Sequence, residues 1–226
     1  MTPEDANAIM AAVIGRAAVT VPPSLLASSI MNEPHLREHA TKREKQKHES
    51  TINRLKEYVA KVYKTRPRVF TRKKHFTPAE SAMNTRDNRI DVAYGGSPAI
   101  LAHELGHAAN MRQDKQHALG RALTGLVNVA YSPAPELASS VGLGGFLMDN
   151  DAVGYGGVGA AGGLSLVQLL EEARATAKAR KMLKDIYGDK IPYKLPLGAG
   201  FSTYVLGALG RVGAPLVANA VQEHGG

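Results

Sequence analysis

The chain has 226 residues, with 28 Lys or Arg against 20 Asp or Glu, a formal net charge of +8, and neither Cys nor Trp. That length supports one sizeable core with room for an appendage. The lack of Cys excludes disulfide scaffolds and thiolate metal sites, and with aromatics at 5% the apolar content falls largely to Gly, Ala and aliphatic residues, which suit close helix contacts.

Residues 1–34 form the first segment. It does not read as a signal peptide: Glu4 and Asp5 stand where a basic n-region belongs, and Arg16 interrupts the apolar stretch. Residues 6–31 are expected to form an amphipathic or buried helix ending near Val21-Pro22-Pro23. His35-Leu36-Arg37-Glu38-His39 then spells the inverted zincin motif H-x-x-E-H. The following Thr41–His48 is polar on every face. Such a helix cannot bury or dry a metal, so a solvated charged helix is the reading taken.

Residues 35–76 are a basic helical arm. From Leu36 to Phe76 there are 14 Lys or Arg against 4 Glu, half of the chain's 28 basic residues. Ile52, Leu55, Val59 and Val62 mark one apolar face of a helix, Arg66-Pro67 ends it, and Arg68–Arg72 is predicted as a short strand. The stretch 36–76 offers a surface to an anionic partner, either lipid or nucleic acid. Its structural alternative is a solubilising arm, and no nucleic-acid module accompanies it.

Residues 77–190 carry the chemistry, with a hydrophobic insertion at 122–163. Arg89–Tyr94 alternates polar and apolar and predicts a strand; Gly95-Gly96 supplies a turn; Ser97-Pro98 is a helix start, Ser as N-cap and Pro at the first helical position. The helix that follows contains His103-Glu104-Leu105-Gly106-His107. Residues at i and i+4 share a helix face, so His103 and His107 can reach one tetrahedral zinc, and Glu104 lies where it can take a proton from a zinc-bound water. Flanking Ile100, Leu101, Ala102, Leu105, Ala108 and Ala109 let this helix be buried, whereas a chance H-E-x-x-H lies on a wet surface.

A catalytic zinc takes a third protein ligand and keeps one open position. No third His follows His107 at metzincin spacing, and Asp114 and His117 lie further along without a motif to support them. The better source is Leu164–Ala179, a strong helix former whose acidic pair, Glu171 and Glu172, sits where an apolar stretch turns polar. Taken alone, that pair would be two solvated charges.

With both segments in hand, the chain resembles a minimal gluzincin zinc metallopeptidase of the membrane-associated type. It is similar to bacterial neutral zinc metallopeptidases and, more distantly, to heat-shock and prenyl-protein membrane peptidases. Their second motif runs Glu-x-x-Ala-(Asp or Ser)-x-x-Ala, matched here by Glu172, Ala175, Thr176 and Ala179; counted from Glu171, position +3 is Arg174 and the register fails. The resemblance implies Glu172 as third ligand in preference to Glu171, with Thr176 in place of the acid or Ser that orients a ligand His. It implies an α+β, mostly helical fold: a zincin-like core of small sheet, active helix and Glu-bearing second helix, with hydrophobic helical hairpins. It also implies that Val92–Tyr94 is an edge strand able to bind extended substrate by β-addition. The expected reaction is peptide-bond hydrolysis of protein or peptide substrates by a zinc-activated water, Glu104 acting as general base. Tyr155, Tyr187 and Tyr193 are the candidate oxyanion donors by chemistry alone.

The second half of the chain is unusually apolar. Ala122–Met148 holds one charge, Glu136; Ala152–Leu170 is 19 residues without a charge; Leu195–Gly210, in the C-terminal hydrophobic segment 191–226, is a third uncharged run. Stretches near 20 residues raise membrane spans, although Gly, Ala and Ser make these weakly hydrophobic. The expectation is membrane association, or a hydrophobic partner, through 122–170 and 195–221. The Gly-rich stretch Asp149–Gly163 reads as a flexible lid or hairpin turn. The alternative function is a structural component of a membrane assembly or phage virion, part of a larger particle, with a zincin fold whose catalysis is secondary or lost; intact Glu104 weighs against it. Cleavage of cell-wall peptide cross-bridges would use the same site. Location is accordingly membrane-associated, with a phage-carried or cytoplasmic protein as alternatives.

Overall fold

In the computed structural model, described for residues 10, 42–72, 82–84, 87–93, 98–188 and 194–224, Thr51, Leu55 and Val59 form a buried stripe along helix α1, Lys42–Val62. Their spacing of four keeps them on one side of the helix. Val62, expected on that stripe, is instead exposed, because the helix ends on it and Lys64, in the left-handed conformation at φ 54°, turns the chain away. The expected strand follows as β1, Arg68–Arg72. The 6–31 helix and the H-x-x-E-H sequence at 35–39 lie outside the described residues, apart from Met10.

Strands β2 (Ala82–Asn84) and β3 (Arg89–Ala93) complete a mixed sheet of order β1-β3-β2. β3 pairs parallel with β1, Val69 opposite Ile90, and antiparallel with β2, Met83 opposite Ile90. Ile90 and Val92 are buried while Arg89 and Asp91 are partly exposed, the predicted alternation. The edge-strand expectation for Val92–Tyr94 is corrected: β3 is the central strand, and the antiparallel edge is β2. Tyr94 to Ser97 lie outside the described residues, but Pro98 is the first residue of helix α2, Pro98–Asp114.

Four further helices follow: α3 (Ala118–Ala130), α4 (Ala134–Leu147), α5 (Asp151–Tyr187) and α6 (Lys194–His224). The described fold is therefore mostly helical with one small mixed sheet, as expected. The Gly-rich lid or hairpin expected at Asp149–Gly163 is overturned. The turn ends at Asn150, and the glycines lie within the 37-residue helix α5. Gly in a helix costs about 1 kcal/mol relative to Ala, but here it permits backbone contact. A Cβ on Gly145 would overlap the backbone of Gly154, and one on Gly157 would overlap Gly142. Gly142 and Gly145 on α4 thus mesh with Gly154 and Gly157 on α5, close packing that offsets the weak propensity.

The chain forms two compact units. One contains Leu25–Thr124 and Glu171–Phe201. Its core joins Leu55 and Val59 of α1, Ile90 and Val92 of β3, Leu101 and Leu105 of α2, and Met182 and Leu183 of α5. The other contains Met1–Ser24, Gly125–Leu170 and Ser202–Gly226. Within it Arg211 of α6 donates to Glu136 Oε1 of α4 at 2.8 Å and to Gln168 Oε1 of α5 at 2.8 Å, while Ser139 donates to the Arg211 carbonyl at 2.7 Å. The charge that interrupts the C-terminal apolar run is thereby paired with the one that interrupts Ala122–Met148.

Candidate metal centre

Two helices build the site, both segments lying in the sheet-bearing unit. α2 contributes His103, Glu104 and His107 from a stretch with Ala102, Leu105, Ala108 and Ala109 fully buried. α5 contributes Glu171, Glu172 and Thr176, with Ala175 and Ala179 as its buried contacts. The helices meet at Gly106, where a Cβ would overlap the carbonyl oxygen of Ala175. These two small residues therefore set the distance between the helices.

The donor atoms converge. His103 Nε2 lies 2.8 Å from Glu172 Oε2, His107 Nε2 lies 3.6 Å from Glu172 Oε1, and the two Nε2 atoms are 3.2 Å apart. Ligands about 2.0–2.1 Å from a tetrahedral ion stand about 3.3 Å from one another, and these three separations bracket that value. His103, His107 and Glu172 can hold a metal ion. Two imidazoles and a carboxylate suit zinc and other first-row divalent metals, and no soft ligand is among them.

The opposite ring nitrogens are also engaged. Thr176 Oγ1 is 3.2 Å from His103 Nδ1, and Glu171 Oε1 is 3.0 Å from His107 Nδ1. Were a metal held at Nε2, each Nδ1 would carry the proton and donate it to these oxygens, which would fix tautomer and ring orientation. Thr176 thus places an uncharged hydroxyl against His103.

The acidic pair divides its work. Glu172, fully buried, faces both Nε2 atoms, whereas Glu171 faces the far side of His107. Glu171 also accepts from Asn110 Nδ2 at 2.8 Å and Arg174 Nη1 at 3.1 Å. Arg174 is bidentate to Asp114, at 2.7 and 3.0 Å, and Lys178 donates to Asn110 and Gln113. Sequence reasoning missed this network. Its signals were the i,i+3 pair Glu171–Arg174 and Asn110 one turn beyond His107. The Arg174 that spoils the motif register from Glu171 is the residue that holds Glu171 in place.

Asp114 is committed to Arg174 and is not among the converging donors, and His117 is exposed in the turn after α2. Of the candidate oxyanion donors, Tyr187 packs against the core of the sheet-bearing unit, Tyr155 stacks edge-on against Phe146 at 5.0 Å in the other unit, and Tyr193 lies outside the described residues.

Glu104 is buried beside the two histidines, and its carboxylate accepts the backbone N–H of Met83 on edge strand β2. Burial pushes its carboxyl above the usual range, and the histidines offset this only in part. Burial also opposes a charge on His107, but its hydrogen bonds to Glu171 and Glu172 outweigh that and push the imidazole up to about 10. For Glu172 burial acts upward, yet the hydrogen bonds to His103 and His107 hold the carboxyl well below the usual carboxylate range. The Glu172 anion thus faces a His107 imidazole that holds a proton a metal would displace.

No family model, curated protein or solved structure matches the chain.

Proposed function

We propose that the protein is a zinc metalloendopeptidase of gluzincin type, associated with a membrane. The observation that carries this reading is the convergence of His103 Nε2, His107 Nε2 and the Glu172 carboxylate, with the buried carboxyl of Glu104 beside them. A zinc ion held by those three residues would supply Lewis-acid chemistry, lowering the pKa of a water and polarising the scissile carbonyl. Glu104, one residue along α2 from His103, takes the proton of the attacking water and passes it to the leaving amine. Burial raises its pKa, which favours holding the proton between the two transfers. Glu171 and Thr176 hold the imidazole planes, and Arg174, Asn110 and Lys178 hold Glu171 in turn. Edge strand β2, whose Met83 N–H anchors Glu104, supports an extended peptide laid alongside it, the arrangement of β-addition.

The membrane reading rests on two helices, Asp151–Tyr187 and Gly200–Glu223, long and apolar enough to cross a membrane, with 28% and 22% of their most apolar stretches buried. A soluble core helix would be mostly covered. Exposed Leu126, Val129, Leu137, Val141, Leu166 and Leu209 in the same unit present apolar surface to lipid.

Metal analysis of the purified protein, with casein cleavage by the wild type and by Glu104→Gln, tests the reading. Stoichiometric zinc, cleavage by the wild type and none by the variant support it. Protein that takes up no zinc and assembles stoichiometrically into a larger particle would overturn it in favour of a structural component.

A further inference from the structure

A cleft of about 590 Å³ opens in the sheet-bearing unit, well apart in sequence from the ligands on α5. Lys64 and Arg66 reach it from the segment between α1 and β1, Arg112 and Lys115 from the end of α2. No acidic side chain lines it. None of the four cations has an ion-pair or side-chain hydrogen-bond partner among the described residues. The wall is tied down: Asn88, also a lining residue, donates Nδ2 to the Arg66 carbonyl at 3.4 Å, and its own carbonyl accepts the Arg68 N–H at 2.9 Å. A cation in the last turn of α2 serves the negative end of the helix dipole. Four cations from two separate segments, unpaired among the described residues and converging on one concavity, exceed what that end requires.

We propose that this cleft binds a phosphate group, carried by a lipid headgroup or by a soluble phosphorylated compound. Two guanidinium forks match phosphate oxygens bidentately, and two ammonium groups add charge without fixed direction. The volume falls within the range of about 300–1,000 Å³ typical of small-ligand sites, well beyond one isolated phosphate, so the group arrives on a larger molecule. A nucleic-acid strand fits less well. No aromatic ring lines the cleft to stack a base, and the charges converge on a pocket. Its lining includes none of the groups at the metal centre.

The test uses the full chain and three probes: inorganic pyrophosphate by titration calorimetry, phosphatidylcholine vesicles with and without phosphatidic acid by flotation, and a single-stranded oligonucleotide by anisotropy. Arg66→Glu/Arg112→Glu changes the cleft; Arg54→Glu/Arg180→Glu makes the same change of charge on exposed helix positions elsewhere. All four positions are exposed, so both variants should fold. The expected result is binding of pyrophosphate or of phosphatidic acid vesicles, weakened about tenfold or more in the cleft variant and less than about threefold in the control. Vesicle binding that pyrophosphate cannot displace assigns the lipid source, and pyrophosphate binding without vesicle binding assigns the soluble one. The proposal is overturned if neither probe binds, if both variants weaken binding equally, or if only the oligonucleotide binds.

Discussion

Glu171 Oε1 sits 3.0 Å from His107 Nδ1, across the interface between α2 and α5, and turns an apparent surplus acid into a brace for an imidazole of the candidate metal centre. Its neighbour Glu172 faces the Nε2 atoms instead. Substitution should separate the two roles. Glu172→Gln removes a ligand and is expected to lower zinc affinity by more than about 100-fold. Glu171→Gln keeps all three ligands and is expected to lower it by about 10–100-fold, the range for groups that orient a ligand. Competition against a chromophoric chelator measures both; equal losses would contradict the division of labour.

Glu104→Gln should retain zinc, since Glu104 is not among the converging donors, and should lose peptidase activity. It should also leave the metal-free fold at least as stable at neutral pH. The folded carboxyl is raised above its ordinary 4.5 by burial, so its ionisation weakens the fold as pH rises above that value. A neutral amide removes the penalty and can still accept the Met83 N–H. Denaturant titration at pH 7 gives the comparison, and marked destabilisation would show that the charged form is structurally required.

Gly106 carries the approach of α2 to α5. Gly106→Ala places a Cβ against the Ala175 backbone, which cannot rotate away as a side chain would. Against the usual gain of Ala over Gly in a helix, the expected outcome is net destabilisation of about 1–3 kcal/mol, with weakened zinc binding because both ligand helices shift. Gly163→Ala on α5, with open space around its Cβ position, is the control and should be neutral or stabilising. Thermal melts of the two variants decide it.

The metal-free protein should be most stable in mildly acidic solution. His107, raised to about 10 from 6.5, contributes stability that is fully present below 6.5 and is lost as pH rises towards about 10. Glu172, lowered from 4.5, contributes stability present above 4.5 and lost as pH falls through its folded value. The window between 4.5 and 6.5 holds both contributions, and the Glu104 penalty, which grows above 4.5, places the optimum towards its acidic end. Zinc reverses the alkaline limb, because it binds imidazole without the proton. Melting temperature against pH, with and without zinc, should show a steeper decline above pH 6.5 in the metal-free protein than with zinc, and zinc uptake at pH 7 should release protons, visible as a buffer-dependent binding enthalpy.

Most of what was legible in the sequence was local. His103, Glu104 and His107 lie within five residues, and the 3.6-residue turn alone puts the two imidazoles on one face. The same holds for the Leu55–Val59 stripe of α1, the alternation of Arg89–Ala93 and the Pro98 start of α2. What was misread depended on contacts distant in the chain. The glycines of α5 look like a loop until Gly142 and Gly145 of α4 mesh with them, and β3 became a central strand because β2, only three residues long, pairs on its far side.

The choice between the two glutamates marks the limit. Adjacent residues on a helix point about 100° apart, so either could face α2, depending on how α5 is rotated. The sequence by itself determined a helix with His103 and His107 on one face and a second helix with an acidic pair, of which the resemblance preferred Glu172. Only the tertiary structure decided the rotation, through the Gly106–Ala175 contact and the pull of Asn110 and Arg174 on Glu171. The contacts of Gly106 with Ala175 and of Asn110 with Glu171 span some 60 to 70 residues, a distance over which helical periodicity carries no information.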